Sequence, residues 1–223
     1  MVVPPFYLNP DDTHCQQCCM RMGYEYFQPE KSWEWEELDT LSGKIEGLYA
    51  WYMRLYMETK NLGYDVIVYD IVDYPAFAAY AEIYLFANYS EGRAKDILAH
   101  SDMAAVTKDA RELCARTDIE IHQKSYDFDI LRDLLDQGYV LLTMVDDAVI
   151  HGLSDRTISH SILIYDYDEQ GVVVHNPGVK SLDTAVESQH ISYDLFQKAC
   201  TLNDRGDTGK MMAFKNTGDK KYV

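Results

Sequence analysis

The strongest constraint on the fold of this chain is a change of sequence pattern near residue 117. Before it, apolar residues recur at three- and four-residue spacing, which is typical of amphipathic helices, and the longest such pattern covers residues 39–63. After it, short runs rich in β-branched and aromatic residues predominate. This order predicts an α+β fold with a mainly helical lobe over residues 1–117, packed against a twisted antiparallel sheet lobe over residues 118–223, both in one folding unit.

The same patterns predict individual elements. One β-like run at residues 64–69 interrupts the helical part. Further helices are predicted at residues 76–86, 93–99, 103–114, 127–135 and 192–200, and strands at 119–121, 139–145, 161–165, 172–175 and 211–214. Turn-forming residues predict linkers at 146–157 and 178–189.

Charge limits the possible partners. The chain carries 20 basic and 37 acidic side chains, a net charge of −17 with neutral histidines. This charge repels polyphosphates, so we expect no nucleic-acid partner, and it favours neutral or basic ligands. No apolar run approaches the roughly 18 to 20 residues that span a bilayer. The first ten residues also lack the pattern of a signal peptide, so we expect a cytoplasmic protein with no membrane partner.

The cysteines suggest chemistry at one position. An odd number of them in a chain without an export signal predicts free thiols: Cys15, Cys18, Cys19, Cys114 and Cys200. The segment from Thr13 to Gln16 has the form of a capping box, which predicts a helix with Cys15 in its first turn. Exposed backbone N–H groups and the helix dipole favour a thiolate there, as in many catalytic cysteines.

The same segment allows a second interpretation, as a metal site. Together His14, Cys15, Cys18 and Cys19 offer four soft or borderline ligands within six residues. A structural zinc site usually takes two separated ligand pairs, and the chain has no second Cys-x-x-Cys. We therefore predict no bound metal and no cofactor, with Cys18 and Cys19 in the hydrophobic core.

A thiolate nucleophile needs a general base and a group that orients this base. His160 is the best candidate for the base because it begins a predicted strand, and the following strand ends at Asn176. A five-residue loop at 166–170 would place the two side chains directly opposite each other on one face of the hairpin. A three-residue loop at 169–171 would keep them on one face but separate them along the ladder. Because catalysis needs the two side chains within hydrogen-bond reach, we predict the five-residue loop, which places Ile164 opposite Val172.

The chain order Cys15, His160, Asn176 resembles that of papain-like cysteine proteases, and the local motifs look more like the C39-like peptidase branch. In that branch a Gln six residues before the nucleophile supplies a side chain of the oxyanion hole, and this chain has Asn9 there. The usual Asp-Pro of the branch after the second strand is Asn176-Pro177 here.

The resemblance covers roughly residues 3–22 and 138–214 and implies a papain-like architecture, with the active site between the two lobes.

These residues predict a thiol hydrolase that cleaves an amide bond, peptide or isopeptide, in a peptide or protein substrate. Cys15 would attack the carbonyl carbon and His160 would move the proton, while Asn176 orients the imidazole ring. Asn9 and a backbone N–H would receive the oxyanion, and a thioester would be the intermediate. Two alternatives remain open at this point: an acyltransferase that uses the same thioester, and a non-catalytic peptide-binding module on the same fold.

Overall fold

The computed structural model describes residues 2–153, 156–202, 207–208 and 210–218, so Ser154 and Asp155 of one predicted linker lie outside it. Its helices are α1 (Cys15–Phe27), α2 (Trp35–Ser42), α3 (Tyr52–Asn61), α4 (Tyr74–Asn88), α5 (Glu91–Ala99), α6 (Met103–Ala115), α7 (Phe128–Asp136), α8 (Asp147–Ile150) and α9 (Tyr193–Cys200). Its strands are β1 (Tyr64–Tyr69), β2 (Glu120–His122), β3 (Val140–Asp146), β4 (Ser159–Tyr167), β5 (Gly171–Asn176), β6 (Val186–Ser192), β7 (Thr201–Leu202), β8 (Asp207–Thr208) and β9 (Met211–Asn216).

Seven strands form one mixed sheet in the order β2-β1-β9-β3-β4-β5-β6, and β7 pairs with β8 separately. Every pairing in the large sheet is antiparallel except that of β1 with β2, which is parallel. The predicted α+β, papain-like fold class is confirmed, and the parallel pair is a departure from the antiparallel sheet we expected. Strand β1 of this sheet comes from the part of the chain before residue 117. The division into two lobes stays a prediction.

Helices cover both faces of the sheet. Residues alternate along β3, so that Val140 and Leu142 pack with α1 and its neighbouring helices, whereas Leu141 packs with α7 and α9. Helix α1 lies very close to the sheet at Gly23, where a Cβ would stand 2.3 Å from the ring of Phe214. This close approach sets the height of α1 over the sheet, and with it the position of Cys15 at the helix start.

The long helix predicted at 39–63 is wrong. Helix α2 ends at Gly43, whose φ of 67° stops the helix while its N–H still bonds the carbonyls of Asp39 and Thr40. Gly47 also has a positive φ, 76°, and α3 begins only at Tyr52. The helical spacing of apolar residues in the sequence therefore continues through a segment where two glycines interrupt the helix.

The other predicted helices and strands are present to within two residues at either end. The two predicted linkers also contain regular structure, because α8 lies in the first and β6 begins in the second. Strand β6 lies at the edge of the sheet and is mostly solvent-facing, so its polar residues resemble a loop in sequence. Among the described residues, no helix is long and apolar enough to cross a membrane.

The register of the β4–β5 hairpin differs from the one we favoured. Ile164 pairs with Val174, not with Val172, because Tyr165 forms a bulge and the loop contains only residues 168–170. Counting along this register, His160 and Asn176 share a face but lie diagonally, not opposite each other. Diagonal neighbours are still within reach of long side chains.

Candidate active site

Helix α1 begins at Cys15, so Cys15 lies in its first turn as predicted, but the predicted capping box is absent. The N-cap residue is His14, and no side chain caps the first turn in the usual way. Both the N–H and the hydroxyl of Thr13 donate to the carboxylate of Asp11, and the Thr13 hydroxyl does not cap the helix. Instead, the N–H of His14 donates to Oδ1 of Asn9 over 3.1 Å. The side chain of Asn9 therefore fixes the entry into the helix.

Cys15 is partly exposed, and its sulfur has three hydrogen-bonding groups around it. These are the ring of His160 and the backbone N–H and hydroxyl of Ser161. Burial by itself would raise the pKa of the Cys15 thiol, but the charge and hydrogen bond of His160, together with Ser161, bring that pKa down to about 7 from an ordinary 9.0. Cys15 is therefore substantially ionised near neutral pH.

Tyr52 stands behind Ser161. The two hydroxyl oxygens are 2.6 Å apart, and Tyr52 is buried with a pKa raised well above 10.0, by burial first and by the neighbouring thiol second. Either hydroxyl can donate in this pair, and when Ser161 donates to the sulfur, Tyr52 is the one that donates to Ser161. In that arrangement, Ser161 and Tyr52 add to His160 in stabilising negative charge on Cys15.

His160 is 2% exposed, and its ring is held from two sides. Nε2 donates to Oδ1 of Asn176 over 2.9 Å, which leaves Nδ1 for the sulfur of Cys15. Burial lowers the pKa of His160, but the thiolate of Cys15, then the charge of Asp147 and the bond to Asn176 outweigh it, so the pKa lies above 6.5. A thiolate–imidazolium pair is favoured on both sides.

The amide of Asn176 has one orientation that satisfies all its neighbours. Its oxygen also accepts from the N–H of Gly178 over 2.9 Å, so the oxygen side meets only donors. Its nitrogen donates to Oδ1 of Asp147 over 2.8 Å, and more weakly to Oε1 of Gln189 over 3.4 Å. Both Asn176 and Asp147 are fully buried, so no water competes for these bonds.

Asp147 and Thr184 are site residues that the sequence reasoning missed. The second carboxylate oxygen of Asp147 accepts from the hydroxyl of Thr184 over 2.8 Å. Both residues lie in segments predicted as linkers, and no local motif marks them. The only available signal is chemical, since an acidic residue just after a buried strand is often a functional group.

Asn9 lies close to this site and joins the two segments that carry it. Its N–H donates to the carbonyl of Pro177, and its Nδ2 donates to the carbonyl of Gly178, each over 3.0 Å. Through His14 it also holds the start of α1. One N–H of the Asn9 amide is thus engaged, and the second is the one available to an oxyanion.

The remaining cysteines differ from Cys15. Burial raises the pKa of Cys200 to about 12, and burial also raises those of Cys18 and Cys19, which lie in the core as predicted. Cys114 is exposed, and its pKa is raised by partial burial and by Asp73. Cys15 is the one described cysteine with a lowered pKa. Over the described stretches of chain, no group of three or more His, Cys, Asp or Glu side chains is arranged to hold a metal ion.

Comparison with protein families gives a match over the second half of the chain. A model described as the Peptidase_C39 like family matches residues 92–209, which is more than half of the chain. The match confirms the resemblance to the C39-like branch of papain-like proteases and includes His160 and Asn176, whereas Cys15 precedes it. No curated protein matches the chain.

Proposed function

The chain belongs to the Peptidase_C39 like family, and from this premise we propose that it is a thiol hydrolase that cleaves amide bonds in peptides or proteins. The family relation supports a peptidase-like protein in general. The cysteine nucleophile, the roles of single residues and the substrate are our proposal.

One observation carries the proposal, namely the arrangement of three side chains: the imidazole of His160 adjoins the thiol of Cys15 and lowers its pKa, and it also bonds the amide of Asn176 over 2.9 Å. Ordinary core packing does not need a thiol of lowered pKa, a buried imidazole and an oriented amide placed next to one another in this order. A cysteine nucleophile needs all three, since the base must be within hydrogen-bond reach and held in one orientation.

In the proposed reaction, the thiolate of Cys15 attacks the substrate carbonyl carbon, and the carbonyl electron pair moves to oxygen. The backbone N–H of Cys15, which has no acceptor within the helix at this first position, and the second Nδ2–H of Asn9 receive the oxyanion. Nδ1 of His160 gives its proton to the leaving amine as the C–N bond breaks. Water then attacks the thioester carbonyl carbon and passes a proton to His160. As the C–S bond breaks, the acid leaves and the thiolate–imidazolium pair of Cys15 and His160 forms again.

The test uses an activated peptide ester and a labelled, basic, unfolded protein such as a free histone. Wild-type protein and Cys114→Ser, which lacks only the exposed thiol, should gain the acyl mass at Cys15 and release labelled fragments. Cys15→Ala should lose turnover by about 10³-fold or more, because the covalent route is closed. Turnover that survives in Cys15→Ala, or acylation first at Cys114, contradicts the proposal.

A non-catalytic peptide-binding module is the second candidate, and Asn9 favours it. The residue is shorter than the Gln of the resembled branch, and one of its N–H groups is already bonded to Gly178. A module of this kind would bind peptides without acylation of Cys15. Saturable peptide binding with no acyl mass and no turnover in wild-type protein would favour this second function.

A further inference from the structure

We propose that Asp147 is a positioning residue for this site, acting through Asn176 to hold the ring of His160 in its reactive orientation. The inference rests on the proposed function, because it assigns a role in the same thiol chemistry. It concerns a residue in a segment between β3 and β4 that carries no sequence motif.

The hydrogen bond between Asp147 and Asn176 gives Asp147 this role. Asn176 can turn its amide in two ways, and only one presents oxygen to Nε2 of His160. The carboxylate of Asp147 accepts at 2.8 Å from Nδ2, so the flipped amide would place its oxygen against a negative charge. Asp147 thus selects the orientation that His160 needs.

Asp147 is itself held in place. Its Oδ2 accepts from Thr184 at 2.8 Å, while Oδ1 meets Nδ2 of Asn176. The residue is the first of helix α8, and the side chain of the preceding Asp146 accepts from the N–H groups of Ala148 and Ile158. The two adjacent carboxylates therefore have different tasks, since Asp146 accepts from backbone N–H groups and Asp147 accepts from the side chain next to His160.

A buried carboxylate is costly unless it stabilises charge or donors nearby. The titratable groups that face this cluster are Cys15 from α1, His160 from β4 and His151, which directly follows α8. Nε2 of His151 is 3.5 Å from Oδ1 of Asp147. The charge of Asp147 favours the imidazolium form of His160 and so favours the thiolate of Cys15. The carboxylate of Asp147 therefore both orients the amide of Asn176 and stabilises the positive charge on His160.

This arrangement also explains why residue 176 is an amide in this chain. An Asp at 176 would bring two carboxylates within hydrogen-bond distance, and one of them would have to take a proton. Exchanging the two residues avoids this conflict. In Asp147→Asn with Asn176→Asp, the amide donates to the carboxylate, and the carboxylate accepts from His160 directly.

The experiment measures the rate of Cys15 alkylation by iodoacetamide against pH, with mass mapping of the site and a melting temperature for each variant. The set is wild type, Asp147→Asn, the exchanged double variant and Asp146→Asn. The last is the matched control, because Asn replaces Asp well as a helix cap. A structural residue would change the melting temperature alone, whereas a positioning residue also changes the alkylation midpoint.

We expect Asp147→Asn to raise the alkylation midpoint by about one pH unit, which slows labelling below it about tenfold. The exchanged variant should restore the wild-type midpoint, and Asp146→Asn should leave it unchanged. An unchanged midpoint in Asp147→Asn, or an exchanged variant that does not recover, overturns the inference.

Two further results separate the possible failures. If Asp147→Asn does not fold, the exchanged variant decides, since recovery of both folding and midpoint supports the inference and loss of either overturns it. If the wild-type midpoint lies near that of an ordinary thiol, the proposed function itself fails, whatever the variants do.

Discussion

At the scale of single residues, Gly178 joins the turn that carries Asn176 to the N-terminal segment that carries Asn9. Its N–H donates to Asn176, and its carbonyl accepts from Asn9. Its φ is +75°, and a Cβ would stand 2.3 Å from the backbone nitrogen of Ala185. No L-residue fits there without a shift of the turn that follows β5.

Gly178→Ala should therefore lower both stability and the reactivity of Cys15. We expect the free energy of unfolding to fall by about 1–3 kcal/mol from strain and clash together, as measured by urea denaturation. Gly152→Ala is the matched control, because Gly152 has φ +67° but open space around it. Equal losses of stability in the two variants would contradict the argument from close contact.

Sequence reasoning found Cys15, His160 and Asn176 because each stands in a local pattern, a helix start or a strand end, and because their chain order matches a known type. Their roles remain predictions. Sequence reasoning did not identify Asp147, because its importance depends on a contact with Asn176, 29 residues away in sequence. Which side chains meet across a fold is a tertiary fact that local pattern does not contain.

At the scale of elements, one bulge accounts for the wrong hairpin register. We counted residues through β4 as if the ladder were regular, but Tyr165 is an extra residue there. Its ring packs on His175, with the centroids 4.6 Å apart, and its hydroxyl donates to Ser188 over 2.7 Å. These contacts come from β5 and β6, so the sequence of β4 by itself gave no sign of the bulge.

His175 joins elements that are distant in sequence. Its ring is buried, with Nε2 donating to the carbonyl of Pro4 over 2.8 Å and Nδ1 accepting from the N–H of Ser188 over 3.1 Å. Both nitrogens are used by the neutral ring, and a proton on Nδ1 would break the second bond. Burial lowers the pKa of His175 below 6.5.

This lowered pKa predicts a pH-dependent contribution of His175 to stability. Since the folded pKa lies below the unfolded one, the contribution is present above about pH 6.5 and is lost as the pH falls through the folded value. The stability advantage of wild type over His175→Gln should therefore shrink between pH 7.5 and pH 5, by at most about 1.4 kcal/mol per pH unit. Urea denaturation at several pH values measures it, and a constant advantage would contradict the account.

At the scale of the whole molecule, the sequence patterns predicted the fold class but not the neighbours in the sheet. Periodicity identifies a strand, yet it does not say where that strand pairs. Thus β9, the last strand of the large sheet along the chain, lies between β1 and β3, and β2 pairs in parallel with β1. Both facts depend on long-range contacts, which local propensity does not fix.

The net charge of −17 also acts at this scale. A field of this size raises the local concentration of basic peptides and repels acidic ones, more strongly at low salt. It supports our proposal of a neutral or basic peptide substrate. The field disfavours a thiolate as well, so the local donors His160 and Ser161 have to overcome it at Cys15.

The central claim is that Cys15 is an activated thiol, and direct titration of its thiolate tests this most simply. Thiolate absorbance near 240 nm is recorded against pH for wild type and for Cys15→Ala, and the difference belongs to this one residue. The account predicts a midpoint at about 7. A midpoint close to the ordinary 9.0 of a free thiol would contradict it.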